Sequence, residues 1–97
     1  MGLKIQSKQI ARSQAGTTGS IEFEPQGLIT ETLSVQTQIL GGAPNFFLEG
    51  RADQDAPWVI LLGPWATSNA FEIDRAMPSM RLRWISNTNS FNAWVCY

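Results

Sequence analysis

Polar and apolar side chains alternate along residues 33–39: Leu33, Val35, Thr37 and Ile39 share one parity, and Ser34, Gln36 and Gln38 the other. Successive side chains of a strand point to opposite faces, so this segment predicts a strand with one buried and one wetted face. The same parity returns in Ile21 and Phe23 against Glu22 and Glu24, in Phe71 and Ile73 against Glu72 and Asp74, and in Met80, Leu82 and Trp84 against Arg81 and Arg83. Leu3 and Ile5 alternate with Lys4 and Gln6, so residues 3–10 read as an edge strand. Residues 45–50, the aromatic-led run 58–62 and the closing run 91–97 supply the remaining strands.

Turn chemistry separates these runs. Residues 11–20, rich in Gly, Ser and Thr, read as a flexible loop, and Pro25-Gln26-Gly27 ends the strand before it. Gly41-Gly42-Ala43-Pro44, the acidic stretch 51–57, Gly63-Pro64-Trp65-Ala66-Thr67-Ser68-Asn69 and Ser86-Asn87-Thr88-Asn89-Ser90 read as further turns. Only residues 29–36 fit a helical period, and their β-branched content opposes it. A strand every ~10–12 residues predicts an all-β fold: a single antiparallel sandwich of about eight short strands, jelly-roll or immunoglobulin-like, with a small closed barrel as the alternative. The whole chain, 97 residues, reads as one domain, with 1–19 as an N-terminal arm and loop.

Composition narrows the function. Charged residues make up 15% of the chain and the net charge is −1, so no field gathers phosphate backbones or anionic lipid; neither nucleic acid nor membrane is expected as a partner. Histidine is absent, which removes the side chain best suited to proton transfer near neutral pH and the commonest transition-metal ligand. A single cysteine, Cys96, permits no intrachain disulfide and no thiolate cluster, as fits assembly in a reducing cytoplasm. Residues 1–16 scatter Lys4, Lys8 and Arg12 among polar neighbours without the apolar run of a signal peptide, so a soluble protein is expected.

The remaining residues offer little catalytic chemistry. Glu49, Asp53 and Asp55 surround one turn and could lend oxygens to calcium, although Asp is ordinary turn chemistry and the spacing fits no EF-hand. Glu22, Glu24, Glu72 and Asp74 could make a glycosidase pair, yet their alternation reads as solvated outer faces. Accordingly no enzyme, no cofactor and no metal is expected. Four tryptophans are many for this length. Trp84 shares a parity with Met80 and Leu82 and reads as core, while Trp58 opens a strand where a large ring can plug the sandwich end. Trp65, in a Gly-Pro-Trp turn, is the candidate for an exposed anchor, either for a protein partner or, with Asn69 and Asp55, for a sugar ring. Arg81 and Arg83 either meet an acidic partner or pair with cross-strand glutamates.

The segment Leu48-Glu49-Gly50-Arg51-Ala52-Asp53-Gln54-Asp55-Ala56-Pro57-Trp58-Val59-Ile60-Leu61 resembles a pattern in small β-sandwich structural proteins of tailed-bacteriophage virions. There a strand ends in a Leu-Glu-Gly-Ser-like sequence and leads through an Asp-containing turn to a tryptophan and an apolar strand. Met80-Arg81-Leu82-Arg83-Trp84-Ile85 is similar to a later arginine-bearing strand of those chains, and the likeness spans residues 32–85. Arg51 stands where serine is usual, and Asp55-Ala56-Pro57 replaces an Asp-Gly turn. The resemblance implies a capsid decoration or cement protein that stabilises the head, with neck or tail accessory and tail-tip carbohydrate-binding module as alternatives. It implies a homo-oligomer, a trimer at local threefold positions, partnered by the major capsid protein or other virion proteins, located in the virion and assembled in the host cytoplasm. The expected interface residues are Leu3 and Ile5, on an arm able to exchange onto a neighbouring subunit, and Trp65.

Overall fold

Eight strands and no helix are found among residues 7–25, 32–74 and 77–97, which the computed structural model describes. They are β1 (Ser7–Gln14), β2 (Gly19–Phe23), β3 (Leu33–Ile39), β4 (Asn45–Arg51), β5 (Val59–Trp65), β6 (Asn69–Ile73), β7 (Ser79–Ile85) and β8 (Phe91–Cys96). Their pairing is nested: β1 with β8, β2 with β7, β3 with β6 and β4 with β5, all antiparallel. Two further ladders, β3 with β8 and β4 with β7, close this long hairpin into sheets of order β1-β8-β3-β6 and β2-β7-β4-β5. That order is the jelly-roll form of the sandwich. Leu3, Ile5, the Gln26-Gly27 stop and residues 29–31 lie outside the described residues, while residues 33–36 of the helical alternative are strand β3.

Alternation places the core as the sequence requires. Leu33, Val35 and Thr37 of β3, Phe46 and Leu48 of β4, Met80, Leu82 and Trp84 of β7, and Phe91, Ala93 and Val95 of β8 are buried between the sheets. Five rings form a connected chain across them. Trp84 meets Phe91 at 5.0 Å, Phe91 meets Phe46 at 4.9 Å, Phe46 meets Trp65 at 5.5 Å and Trp65 meets Phe71 at 5.1 Å.

Two expected turns are strands instead. β1 continues to Gln14, through the first four residues of the expected 11–20 loop, because Ala11 packs inward opposite Ala93 while polar neighbours face water. The rest of that loop is held by the β7–β8 connection. The Asn87 side-chain amide donates to the Gln14 and Gly16 carbonyls at 3.2 and 2.9 Å, and its backbone amide donates to Thr17 at 3.0 Å. The Trp84 indole N–H also donates to Gly16, at 3.0 Å. Gly19 packs so tightly beneath Trp84 that a Cβ there would lie 2.6 Å from the ring.

β5 likewise runs through the expected Gly63-Pro64-Trp65 turn. From Phe46↔Trp65 to Leu48↔Leu62, and again from Leu48↔Leu62 to Glu49↔Ile60, β5 carries one residue more than β4. These bulges fall on an edge strand, where a proline without an N–H is tolerated. Gly63 takes a φ of +117°, and a Cβ there would lie 2.7 Å from the Phe46 carbonyl oxygen.

All four sheet edges among the described residues are blunted. β1 carries two register shifts against β8, β5 carries two against β4 plus Pro64, and β2 and β6 are only five residues long. Bulges, proline and short length suppress pairing of these edges with another chain.

Replacing Asn87 by Ala should take the side-chain donor from the Gln14 and Gly16 carbonyls, Gly16 keeping the Trp84 indole, and cost about 1–2 kcal/mol. Urea denaturation measures this. A change below about 0.5 kcal/mol would show that the connection does not hold the 14–19 loop.

Candidate protein-interaction surface

The outer face of the β2-β7-β4-β5 sheet is built by the residues that alternate with the core. In register across the strands stand Glu22, Arg81, Glu49 and Ile60, and beside them Ser20, Arg83 and Phe47. Glu49 is only 4% exposed although it points away from the core. Arg81 donates from Nε to Glu49 Oε1 at 2.6 Å and Arg83 from Nε to Oε2 at 3.1 Å, so one carboxylate spends both oxygens on two strand neighbours. The arginines therefore find the cross-strand glutamate that sheet pairing favours.

Two aromatic rings complete the surface. The Arg51 and Arg81 guanidiniums lie 4.2 and 4.4 Å from the Trp58 ring centre, and Arg83 lies 4.2 Å from that of Phe47. Trp58 is thus half-buried beneath cations on an outer face and does not plug the sandwich end. Arg51 also donates to the Gln54 carbonyl at 3.0 Å and sits 3.6 Å from Glu22, tying the β4–β5 turn to the sheet. Next to this cluster Val59 and Ile60 are 47% and 54% exposed. Arginine and tryptophan are the residue types over-represented at the energetic centres of protein interfaces.

The other candidates are dispersed. Asp53 accepts the Gln54 amide at 2.6 Å on its own side chain and the Ala56 amide at 3.1 Å on its carbonyl, which is turn chemistry. With Glu49 committed to two arginines, the three acids do not converge, and no metal-holding group of acids occurs among the described residues. Glu22 and Glu24 lie at one side of the sandwich and Glu72 and Asp74 at the other, all exposed.

Trp65 is corrected from exposed anchor to core. It is 8% exposed, set between Phe46 and Phe71 in a tilted and an edge-on contact, and its indole N–H donates to Thr37 Oγ1 at 3.0 Å across the two sheets. A ring placed inward by strand geometry cannot present a face to sugar or protein, so the proposed set of Trp65, Asn69 and Asp55 does not form. The Arg51–Trp58–Arg81 cluster was not singled out in the sequence. Its signal was Arg81 and Arg83 at i and i+2 opposite a strand carrying Glu49, which fixes all three on one face.

No family model matches the chain, and comparisons with curated proteins and with solved structures return no match.

Glu49→Ala should strand Arg81 and Arg83 over a buried site and lower stability by about 1–3 kcal/mol, where an exposed ion pair contributes under about 1 kcal/mol. Chemical denaturation at low and high salt decides this. A loss under about 0.5 kcal/mol that vanishes in salt would reduce the pair to an ordinary surface contact.

Proposed function

We propose that this protein is a structural component of a tailed-phage virion, a capsid decoration or cement protein that stabilises the head. The sequence pattern of residues 48–61 and 80–85 supports the class. The jelly-roll agrees by analogy, since viral capsid domains use this architecture along with lectins. The observation that carries the manner of action is the Arg51–Trp58–Arg81 cluster beside half-exposed Val59 and Ile60, on a sandwich whose edges resist strand addition.

The mechanism is thermodynamic linkage. A ligand that binds only the assembled lattice stabilises it by RT ln(1 + [L]/Kd), about 2.7 kcal/mol per site at a hundredfold excess over Kd. A homo-oligomer, with a trimer at local threefold positions as the preferred form, seats several copies of the same patch at once and multiplies that effect. The tryptophan and isoleucine supply desolvated contact, and the arginine N–H groups left over by Glu49 and Glu22 supply short-range hydrogen bonds to the major capsid protein.

Quantitative mass spectrometry of purified virions tests the reading. A lattice-scale copy number is expected, with Ile60→Asp, at a half-exposed position, reducing occupancy while the isolated protein keeps its unfolding midpoint. A copy number matching a single ring would move the role to neck or tail, and absence from virions would refute the proposal.

A further inference from the structure

The opposite outer face, that of the β1-β8-β3-β6 sheet, has a different chemistry. Across its four strands Gln9, Trp94, Gln36 and Ala70 stand in register. Phe91, Ala93 and Val95 point into the core, so Trp94 points outward, where it stays half-buried. The indole separates two shallow hollows of about 380 and 350 Å³, and Gln36 and Ala70 line both. Ala70 contributes only a methyl, which is why the surface dips there. Ser34 borders the first hollow, and Gln38 and Asn69 border the second. The Asn92 amide donates to Gln38 Oε1 at 3.0 Å and accepts the Ser13 amide at 2.7 Å, so the amide row is oriented by the sheet.

None of the described residues lining either hollow carries an ionised side chain. An anionic ligand would find no counter-charge there, and a purely apolar one would cover amides without satisfying them. A pyranose matches both features. Its C–H face packs on an indole, and its hydroxyls donate and accept, as a carboxamide also does.

We propose that this face binds a neutral glycan, with Trp94 as stacking platform, one sugar ring in each hollow, and Gln36, Gln38 and Asn69 as hydrogen-bonding partners. The site is independent of the virion reading and lies on the sheet away from the arginine–tryptophan cluster, so both can be occupied together.

The test is binding of the full chain to a printed glycan array holding neutral and anionic polysaccharides, with affinities of hits measured by titration. Signals confined to neutral glycans are expected. Trp94→Ala should weaken binding about tenfold or more, and Gln36→Ala by about 3–10-fold, the equivalent of one hydrogen bond. Ala70→Arg, at an exposed position bordering both hollows, should abolish binding without touching the core, and it keeps the test valid if Trp94→Ala fails to fold. Glu24→Gln should leave binding unchanged. Absence of neutral-glycan signals, a preference for anionic ones, or binding that survives Ala70→Arg would overturn the site. So would a Trp94→Ala variant that changes only the sedimentation coefficient, which would assign the face to contact between copies.

Discussion

The contact on which the fold depends is the chain of rings from Trp84 through Phe91, Phe46 and Trp65 to Phe71. Its members are drawn from both sheets: Phe91 and Phe71 belong to one, Trp84, Phe46 and Trp65 to the other. Three of the four contacts therefore bridge the sheets, and three are edge-on or T-shaped, the arrangement favoured by the ring quadrupole. The Trp65 indole N–H to Thr37 hydroxyl bond adds a buried polar tether along the same path. Thr37 in turn donates to the Thr67 carbonyl at 3.3 Å, so the connection leading to β6 is fastened to the same point.

Nested pairing explains how so short a chain closes this core without a cross-link. β4 and β5 form the innermost hairpin, and each later pair wraps outside it until β1 meets β8. The outermost pair is as irregular as the innermost: β1 takes two register shifts against β8, and Ser13 adopts a φ of 46°. Bulges bend a strand and increase its local twist, which lets an edge strand follow a curved sheet and discourages a second chain from extending it. What remains accessible is two sheet faces. One is organised by charge around a buried carboxylate, the other by neutral amides around an indole.

Much of this was legible in the residues. Alternation located the strands because a half-buried strand must repeat every two positions, and it placed Trp84 in the core correctly. It failed where a local signal outranked it. Gly63-Pro64 reads as a turn in isolation, yet at a bulged edge strand glycine supplies the positive φ and proline forgoes a bond the edge does not need. Trp65 was misplaced with it. Glu49 was grouped with Asp53 and Asp55 by proximity in sequence, whereas its parity in a central strand put it on a different surface, between two arginines. Trp94 is legible from the same parity: Phe91, Ala93, Val95 and Tyr97 are buried and define the inward face, so the residue between Ala93 and Val95 must face out.

The two faces share a constraint set by the low charge of the chain. Seven basic and eight acidic residues leave a net charge of −1, and on the arginine face the best-placed carboxylate is already spent on Arg81 and Arg83. Little long-range field remains to steer a partner, so association at either face proceeds without electrostatic acceleration. Affinity must then come from short-range contact at Trp58, Ile60 and Trp94, groups whose half-exposed apolar area gains by being covered. Single contacts of this kind are weak. On the proposed virion reading, repetition across a symmetric assembly would be the physical route to firm attachment, because each further seat is filled at the high effective concentration set by the first.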